Sequence, residues 1–211
     1  MENIRYSECG TTGDLIAPDR VITNLVWPIA GSVGAATLET VGAAAILAGL
    51  DEETIRTGLL RAGEKTPRLA RIRVAGRLLI DDCYNASPEA MVTALEALSL
   101  IAAGRPAVAV LGDMLELGKY SDMLHRATGR AAARSGIGAL FTYGRAALGI
   151  AKGACDAGLD ERAIHTFDTG EQAALAAALC RILPEGATVL FKASGRMCLR
   201  SVLDEVRRRL S

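Results

Sequence analysis

Six short apolar runs alternate with five amphipathic runs over residues 72–209, and this alternation constrains the fold more than any other feature of the sequence. The runs that predict strands are Ile72–Val74, Leu78–Ile80, Ala107–Leu111, Ala139–Tyr143, Ile164–Phe167 and Val189–Phe191. The runs that predict helices are 88–102, 121–135, 145–156, 171–183 and 197–209. Strands that alternate with helices form right-handed crossovers, so the sequence predicts an α/β fold with a mostly parallel sheet.

The first third of the chain predicts a different arrangement. Residues 1–30 are β-rich and irregular, and 34–50 predict an Ala-rich buried helix with one stripe formed by Leu38, Val41, Ala45 and Ala48. Asp51 predicts the cap of a second helix, whose inward residues would be Ile55, Leu59 and Leu60. The polar segment Glu64–Arg71 contains a proline and predicts a linker. We therefore expect one domain over residues 1–67 and another over 68–211.

The segment Cys9–Leu15, CGTTGDL, has the glycines and threonines of a phosphate-binding loop. Such a loop needs Lys-Ser/Thr where this chain has Asp14-Leu15, and an aspartate repels phosphate. No helical pattern follows the segment. We predict instead a hairpin turn between a strand over residues 2–8 and a strand near Val21–Trp27.

Composition excludes several classes of function. The 24 basic and 24 acidic residues cancel, which gives no electrostatic reason to expect nucleic acid or an anionic membrane as a partner. No run of about 18 apolar residues occurs, and MENIRYSECG is too polar for a signal peptide, so we expect the cytoplasm. The 5 cysteines are scattered without a CxxC pair, which favours reduced, mostly buried thiols over disulfides or a zinc site.

Polar clusters follow three of the predicted strands. They are DDCYNASP at 81–88, GDMLELGKYS at 112–121 and KASGRM at 192–197. Ligands of open α/β sheets bind outside the carboxyl ends of the strands, so the clusters predict one shared crevice. Asp, Asn and Ser are also common in ordinary turns, and a basic turn can simply be solvated. The residues alone leave both interpretations open.

Several residues have a local interpretation. Ser87 is placed as a helix N-cap with Pro88 as the first helical residue. Ser121 is placed to cap the next helix, and His125 lies in the first turn of that helix, where a surface or capping histidine is favoured. His165 lies inside an apolar strand pattern, which favours a structural role.

The charged candidates belong to the second and third clusters. Asp113 and Glu116 supply carboxylates, while Lys192 and Arg196 supply positive charge at a helix N-terminus, which itself favours anions. Cys83 is the thiol near the predicted crevice. No histidine is close to it in sequence, so we interpret Cys83 as a small core residue rather than a nucleophile.

These clusters, in this order, resemble the carboxy-terminal part of the Mur ligase family. The resemblance is carried by IDDCYNASPEAM (80–91), VLGDMLELG (110–118) with Ser121 and His125 behind it, VLFKASGRM (189–197), and Arg68 in TPRLA. It spans nearly the whole chain. Within the family, the segments look most like those of members that add D-Ala-D-Ala to UDP-MurNAc-tripeptide in peptidoglycan precursor synthesis.

The resemblance implies a Rossmann-like carboxy-terminal domain over 68–211, preceded by the last part of a central ATP-binding domain over 1–67. It also implies an enzyme that uses ATP and Mg²⁺ to convert a carboxylate into an acyl phosphate. The amino group of D-Ala-D-Ala then attacks the acyl carbon, and phosphate leaves. The implied small-molecule partners are D-Ala-D-Ala and a UDP-MurNAc-peptide.

The resemblance also implies roles for individual residues. By position, Arg68 would reach the ATP phosphates, while Asp81 and Asp82 would accept hydrogen bonds from ribose hydroxyls. Tyr84 and Asn85 would border the nucleotide. The residues implied to line the pocket for the incoming dipeptide are Ser87, Asp113, Glu116, His125, Lys192, Ser194 and Arg196.

The sequence departs from the family in three ways. It contains no counterpart of the family's P-loop, Mg²⁺ ligands and UDP-substrate domain. The family's Gly-x-His-Asn element is replaced by Gly31-Ser32-Val33-Gly34, and the arginine of KASGRM falls one position later than usual. We therefore expect these 211 residues to fold but not to catalyse ligation alone. We also expect an exposed apolar face on residues 1–63, covered by a complementing chain or by self-association.

Two other functions stay open. The missing His-Asn and the altered KASGRM favour a non-catalytic ligand-binding or regulatory module derived from a Mur ligase. A ligase part that acts on another amino acid, as in folylpolyglutamate-type ligases, is the third interpretation. The YNASP sequence at 84–88 counts against it.

Overall fold

The computed structural model describes residues 1–7, 9–66 and 68–211, which group into two units, Met1–Thr66 and Pro67–Ser211. Six strands among the described residues of the second unit form one sheet, in the order β4-β5-β9-β6-β7-β8. Their bounds are β4 Ala70–Val74, β5 Arg77–Asp81, β6 Ala107–Gly112, β7 Ala139–Tyr143, β8 Ile164–Phe167 and β9 Thr188–Lys192. Only the β4–β5 pair is antiparallel in this described sheet. The predicted α/β fold with a mostly parallel sheet is confirmed.

Helices cover both faces of this sheet. Their bounds are α3 Pro88–Ala102, α4 Ser121–Arg134, α5 Leu148–Asp156, α6 Gln172–Ile182 and α7 Leu199–Leu210. On one face Phe141 and Phe191 pack with Val206 of α7, while Ile80 and Leu190, at the alternate strand positions, are also fully buried. Burial on both faces explains why the inner strands β5, β6, β7 and β9 are nearly continuous apolar runs. No helix within the described ranges is long and apolar enough to cross a membrane.

The first unit contains an antiparallel sheet in the order β1-β2-β3 and two helices. The bounds are β1 Glu2–Ser7, β2 Gly10–Ile16, β3 Val21–Trp27, α1 Ser32–Leu47 and α2 Glu52–Glu64. Asp51 caps α2 as predicted, because its carboxylate accepts a hydrogen bond from the Thr54 backbone N–H at 2.7 Å. Ile55 and Leu59 face inward, whereas Leu60 is exposed one step further round the helix.

The predicted hairpin turn at residues 9–15 is wrong, because Gly10–Ile16 is the central strand of the sheet. Threonine favours extended backbone, and the Thr11 hydroxyl donates a hydrogen bond to the Ile29 carbonyl at 2.8 Å. The turn to β3 comes later, where the Ala17 N–H donates to the Arg20 carbonyl. Glu8 of the predicted first strand and Pro67 of the predicted linker lie outside the described residues.

The predicted stripe of α1 is also wrong in part. Its buried residues are Gly34, Leu38 and Gly42, whereas Val41 and Ala48 are exposed. A Cβ on Gly34 would collide with the Ile29 carbonyl oxygen, and one on Gly42 would lie 2.7 Å from the Leu15 side chain. The face that carries Gly34, Leu38 and Gly42 therefore approaches the sheet most closely.

The β1-β2-β3 sheet carries a polar network as well as exposed apolar side chains. The Asn3 amide donates to Asp14 at 2.7 Å, and the Arg5 guanidinium donates to the Asn24 side chain at 2.6 Å. Hydrogen bonds from the Asn3 side chain and the Asn24 backbone hold the pKa of Asp14 below its ordinary value. The exposed apolar side chains are Ile4, Tyr6, Ile16 and Val21. The surface of this sheet thus carries both polar and apolar side chains.

The five cysteines, all of which the structure describes, are free. Cys9 and Cys198 are exposed, and the other three are half-buried, so the expectation of mostly buried thiols is wrong. Cys198 has a left-handed backbone conformation, with a φ of 52°, directly before α7.

We predict that Gly129→Ala destabilises the second unit by roughly 1–3 kcal/mol, since α4 and α5 pack closely and the new Cβ would collide with the Ile150 carbonyl oxygen. Urea unfolding followed by circular dichroism measures this change. The control is Gly170→Ala, where nothing lies within 4 Å of the added Cβ. Equal unfolding midpoints for the two variants would contradict the close packing.

Candidate functional site

The three polar clusters lie at one edge of the sheet. They follow β5, β9 and β6, which are adjacent and parallel, so their carboxyl ends meet at the same edge. Backbone hydrogen bonds join the clusters directly. The Asp82 N–H donates to the Phe191 carbonyl at 2.9 Å, and the Ser194 N–H donates to the Asp113 carbonyl at 3.0 Å. The three turns therefore form one continuous surface.

A buried ion pair connects the first and third clusters. Lys192 has no exposed surface, and its Nζ lies 2.5 Å from Asp82 Oδ2 and 2.8 Å from the Asn85 carbonyl oxygen. Burial lowers the pKa of Lys192 from its ordinary value, while the Asp82 carboxylate opposes that shift. Lys192 is therefore not part of a solvated basic turn, because its charge is used inside the protein.

The two neighbouring aspartates have different surroundings. Asp81 Oδ1 accepts from the Cys83 N–H at 3.0 Å, and its Oδ2 lies 3.2 Å from the Arg200 guanidinium. Asp82 Oδ1 is buried, has no hydrogen-bond partner among the described atoms, and lies 3.6 Å from the Arg68 guanidinium. Arg68 also stacks over the Tyr84 ring at 5.1 Å. Each aspartate thus has a cation beside it, and Asp82 Oδ1 accepts no hydrogen bond from the described atoms.

His125 is fully buried, so the interpretation as a surface or capping histidine is wrong. Its Nδ1 lies 2.7 Å from the Ser121 carbonyl oxygen, which can only accept, so Nδ1 carries the proton. Nε2 then accepts a hydrogen bond from the Met114 N–H at 3.0 Å. Ser121 is the first helical residue and makes no capping bond, because Tyr120 occupies the N-cap position. The histidine ring therefore holds the turn after β6 in place.

Two more predicted residues also hold that turn. Ser194 Oγ accepts from the Leu115 N–H at 2.9 Å. Asp113 Oδ1 accepts from the Ala147 N–H at 2.6 Å, and a Cβ on Gly144 would lie 2.5 Å from the same oxygen. Both side chains are buried and bonded within the fold.

Ser87 and Cys83 complete the first cluster. Ser87 caps α3 as predicted, because its Oγ accepts from the Ala90 N–H at 3.2 Å. The Cys83 thiol lies 3.5 Å from the Phe191 carbonyl oxygen. Burial, followed by the charge of Asp81, raises the pKa of Cys83 far above its ordinary value, which favours the core interpretation over a nucleophile. His165, outside the clusters, packs against Phe141 with ring centroids 4.6 Å apart and the rings tilted by 32°, which agrees with the structural interpretation.

Two cavities open on this surface. The larger has a volume of about 510 Å³ and is lined by Ala70, Asp81, Cys83, Tyr84, Gly195, Cys198, Arg200, Ser201 and Asp204. The smaller has a volume of about 220 Å³ and is lined by Tyr84, Asn85, Leu115, Glu116, Ser194, Gly195 and Arg196. Tyr84 and Gly195 line both and therefore form a shared wall. A Cβ on Gly195 would lie 2.7 Å from the Tyr84 carbonyl oxygen, so this wall requires glycine.

Sequence reasoning missed part of this lining. Arg200, Ser201 and Asp204 lie in the first two turns of α7, beyond the polar cluster that precedes it. The signal available in the sequence was that α7 directly follows the third cluster, which places its first residues at the same edge of the sheet.

A mostly parallel sheet with cavities at the carboxyl ends of its central strands defines a ligand-binding α/β domain of the Rossmann-like type. The family model described as Mur ligase, glutamate ligase domain matches residues 67–195. The chain belongs to the Mur ligase family.

Two longer proteins match almost the whole of this chain. The chain is 31% identical over 208 residues to UDP-N-acetylmuramoyl-tripeptide–D-alanyl-D-alanine ligase of Bacillus subtilis (strain 168), and the match covers 98% of this chain and 44% of that relative. It superposes on a crystal structure of MurF from Acinetobacter baumannii with a TM-score of 0.83 and 26% identity, covering 98% of this chain and 44% of the other. The chain thus spans less than half the length of these relatives.

A further structural neighbour is MurF ligase from Thermotoga maritima, solved in complex with ADP. Its TM-score is 0.76 at 23% identity, and the match covers 99% of this chain and 46% of that one. At this identity the likeness shows the fold alone.

We predict that Lys192→Met lowers the free energy of unfolding by about 3–5 kcal/mol, because it leaves the buried Asp82 carboxylate without its ammonium partner. Urea unfolding measures the loss. Arg196→Met is the control, since it removes a cation from an exposed ion pair and should cost less than about 1 kcal/mol. A Lys192→Met variant as stable as Arg196→Met would show that the buried pair does not hold the turns.

Proposed function

We propose that this chain is the carboxy-terminal part of an ATP-dependent amide ligase that adds D-Ala-D-Ala to UDP-MurNAc-tripeptide through an acyl phosphate. The observation that carries the proposal is the meeting of the three family motifs at one edge, beside two cavities with a shared wall. A ligase needs adjoining places for an activated acid and an incoming amine. The name of the Bacillus subtilis relative supports this choice of substrates.

The larger cavity is our candidate for the nucleotide side. Its volume of about 510 Å³ lies within the roughly 300–1,000 Å³ typical of small-molecule sites. We propose that the two aspartates are the acceptors for ribose hydroxyls, since Asp81 lines this cavity beside Arg200 and Asp82 follows it in the same turn with an Oδ1 that accepts no hydrogen bond from the described atoms. Arg68 supplies positive charge for phosphates. Tyr84 offers an exposed ring edge to the nucleotide.

ATP, when bound, supplies the phosphoryl group that turns an unreactive carboxylate into an electrophile. The chain's own residues contribute position and charge: Arg68 beside Asp82 brings a cation to the edge where the phosphates would lie, and Asn85 borders the same turn. The described residues contain no group of three or more His, Cys, Asp or Glu side chains that could hold a metal. We assign no residue of this chain to Mg²⁺.

The smaller cavity is our candidate for the incoming dipeptide. Its volume of about 220 Å³ is less than half of the roughly 510 Å³ of the larger cavity, which suits a smaller ligand. Glu116 and Arg196 are its exposed charged side chains. We propose that the other residues assigned to the dipeptide pocket act by positioning the turns: Ser87, Asp113, His125, Lys192 and Ser194.

A second candidate is a ligand-binding or regulatory module without catalysis. The specific observation in its favour is that α1 begins within Gly31-Ser32-Val33-Gly34, where the family carries His and Asn. A ligase part for another amino acid is a third candidate. For all three we propose small-molecule ligands, a cytoplasmic location and, because the acidic and basic residues balance, no nucleic-acid partner. A complementing chain or self-association would use the exposed apolar residues of the first unit.

We expect the 211-residue chain to bind D-Ala-D-Ala in calorimetric titration but to form no peptide product with ATP, Mg²⁺ and UDP-MurNAc-tripeptide, because it lacks a P-loop. Product analysis by mass spectrometry measures the second part. Ligation by the pure chain would contradict its proposed incompleteness. Absence of binding to both D-Ala-D-Ala and a non-hydrolysable ATP analogue would favour the non-catalytic module.

We also expect Arg68→Gln to weaken binding of the ATP analogue about tenfold, the equivalent of roughly 1.4 kcal/mol for one lost charge-assisted contact. Arg207→Gln, in the last turn of α7, is the matched control and should leave the dissociation constant unchanged. An equal effect of the two variants would remove Arg68 from the nucleotide site.

A further inference from the structure

An exposed ion pair joins two turns at the smaller cavity. An Arg196 guanidinium nitrogen lies 2.7 Å from Glu116 Oε1, and both residues line the cavity. Glu116 belongs to the turn after β6, and Arg196 belongs to the turn after β9. Their side chains are 81% and 71% exposed, so solvent and ligands can reach both charges.

The backbone beneath these side chains is held firmly. Glu116 has a φ of 68°, a left-handed conformation that a residue other than glycine keeps only where its surroundings impose it. The two preceding N–H groups provide that constraint: Met114 donates to His125, and Leu115 donates to Ser194. The Glu116 carboxylate is therefore an exposed group on a fixed backbone.

The pair itself is easily opened. Exposed ion pairs contribute little to stability, so a ligand that satisfies both charges can replace this pair at little cost. A ligand with a single charge would satisfy one partner and leave the other without its counter-ion. The pair is thus matched to a ligand that carries both an ammonium group and a carboxylate group.

We propose that the Glu116–Arg196 pair selects zwitterionic ligands, with Arg196 binding the carboxylate end and Glu116 the ammonium end of the incoming dipeptide or amino acid. This proposal rests on the proposed function, which places the dipeptide in the smaller cavity. It goes further by assigning each end of the ligand to one side chain. Without a ligand, each side chain of the pair neutralises the other, as the charged groups of the ligand would do when bound.

The test compares three ligands by calorimetric titration: D-Ala-D-Ala, N-acetyl-D-Ala-D-Ala and D-Ala-D-Ala amide. The chain should bind the free dipeptide at least about tenfold more tightly than either capped form, because each cap removes one charged contact. Glu116→Gln should abolish the preference for the free amine and keep the preference for the free carboxylate. Arg196→Gln should do the reverse.

Arg207→Gln is the matched control and should keep both preferences. Circular dichroism should show unchanged folding for all three variants, because the substituted side chains are exposed. Equal binding of the three ligands to the unmodified chain, or preferences that survive both site variants, would overturn the role of the pair while leaving the dipeptide function standing. No binding of any of the three ligands would overturn both proposals.

Discussion

The arrangement of the site depends on the ion pair between Lys192 and Asp82. An ammonium group without exposed surface is costly, and here a carboxylate at 2.5 Å and the Asn85 carbonyl at 2.8 Å compensate for its desolvation. The pair fixes the turn after β5 against the end of β9. Because β9 lies between β5 and β6, the turn after β9 also contacts the turn after β6. Ser194 makes this contact by accepting a hydrogen bond from the Leu115 N–H. Removing the pair would loosen all three turns.

This frame separates two kinds of polar residue. The first kind is buried and accepts hydrogen bonds from backbone N–H groups, which keeps the turns in register. These residues are His125, Asp113 and Ser194. Glu116 and Arg196 are exposed and face a cavity. A polar cluster at a strand end thus contains both supporting residues and residues that can touch a ligand. Only the exposed residues can exchange their present contacts for contacts with a ligand.

The four inner strands of the larger sheet, β5, β6, β7 and β9, were predictable because burial on both faces makes each one a nearly continuous apolar run. The order of the strands was not predictable, because the alternation of strands and helices does not tell which strands lie side by side. The position of β9 between β5 and β6 brings the three polar clusters together. Lys192 and His125 have ordinary local signals, so their full burial follows only from the turns that close over them. In the first unit, Gly10–Ile16 looked like a turn because of its glycines, although its partners on both sides make it a central strand. The motifs predicted where the cavities lie. They did not predict that Arg200, Ser201 and Asp204 line one of them, because this follows from the position of α7.

The central claim is that three turns held by a buried ion pair present one binding surface for a small zwitterionic substrate. Backbone amide NMR during titration with D-Ala-D-Ala tests it most directly. The account predicts that the shifting amides cluster in residues 84–86, 115–118 and 194–197, and that they respond together with one dissociation constant. Shifts confined to another surface, such as the groove between α3 and α4 near Val92 and Arg134, would contradict it.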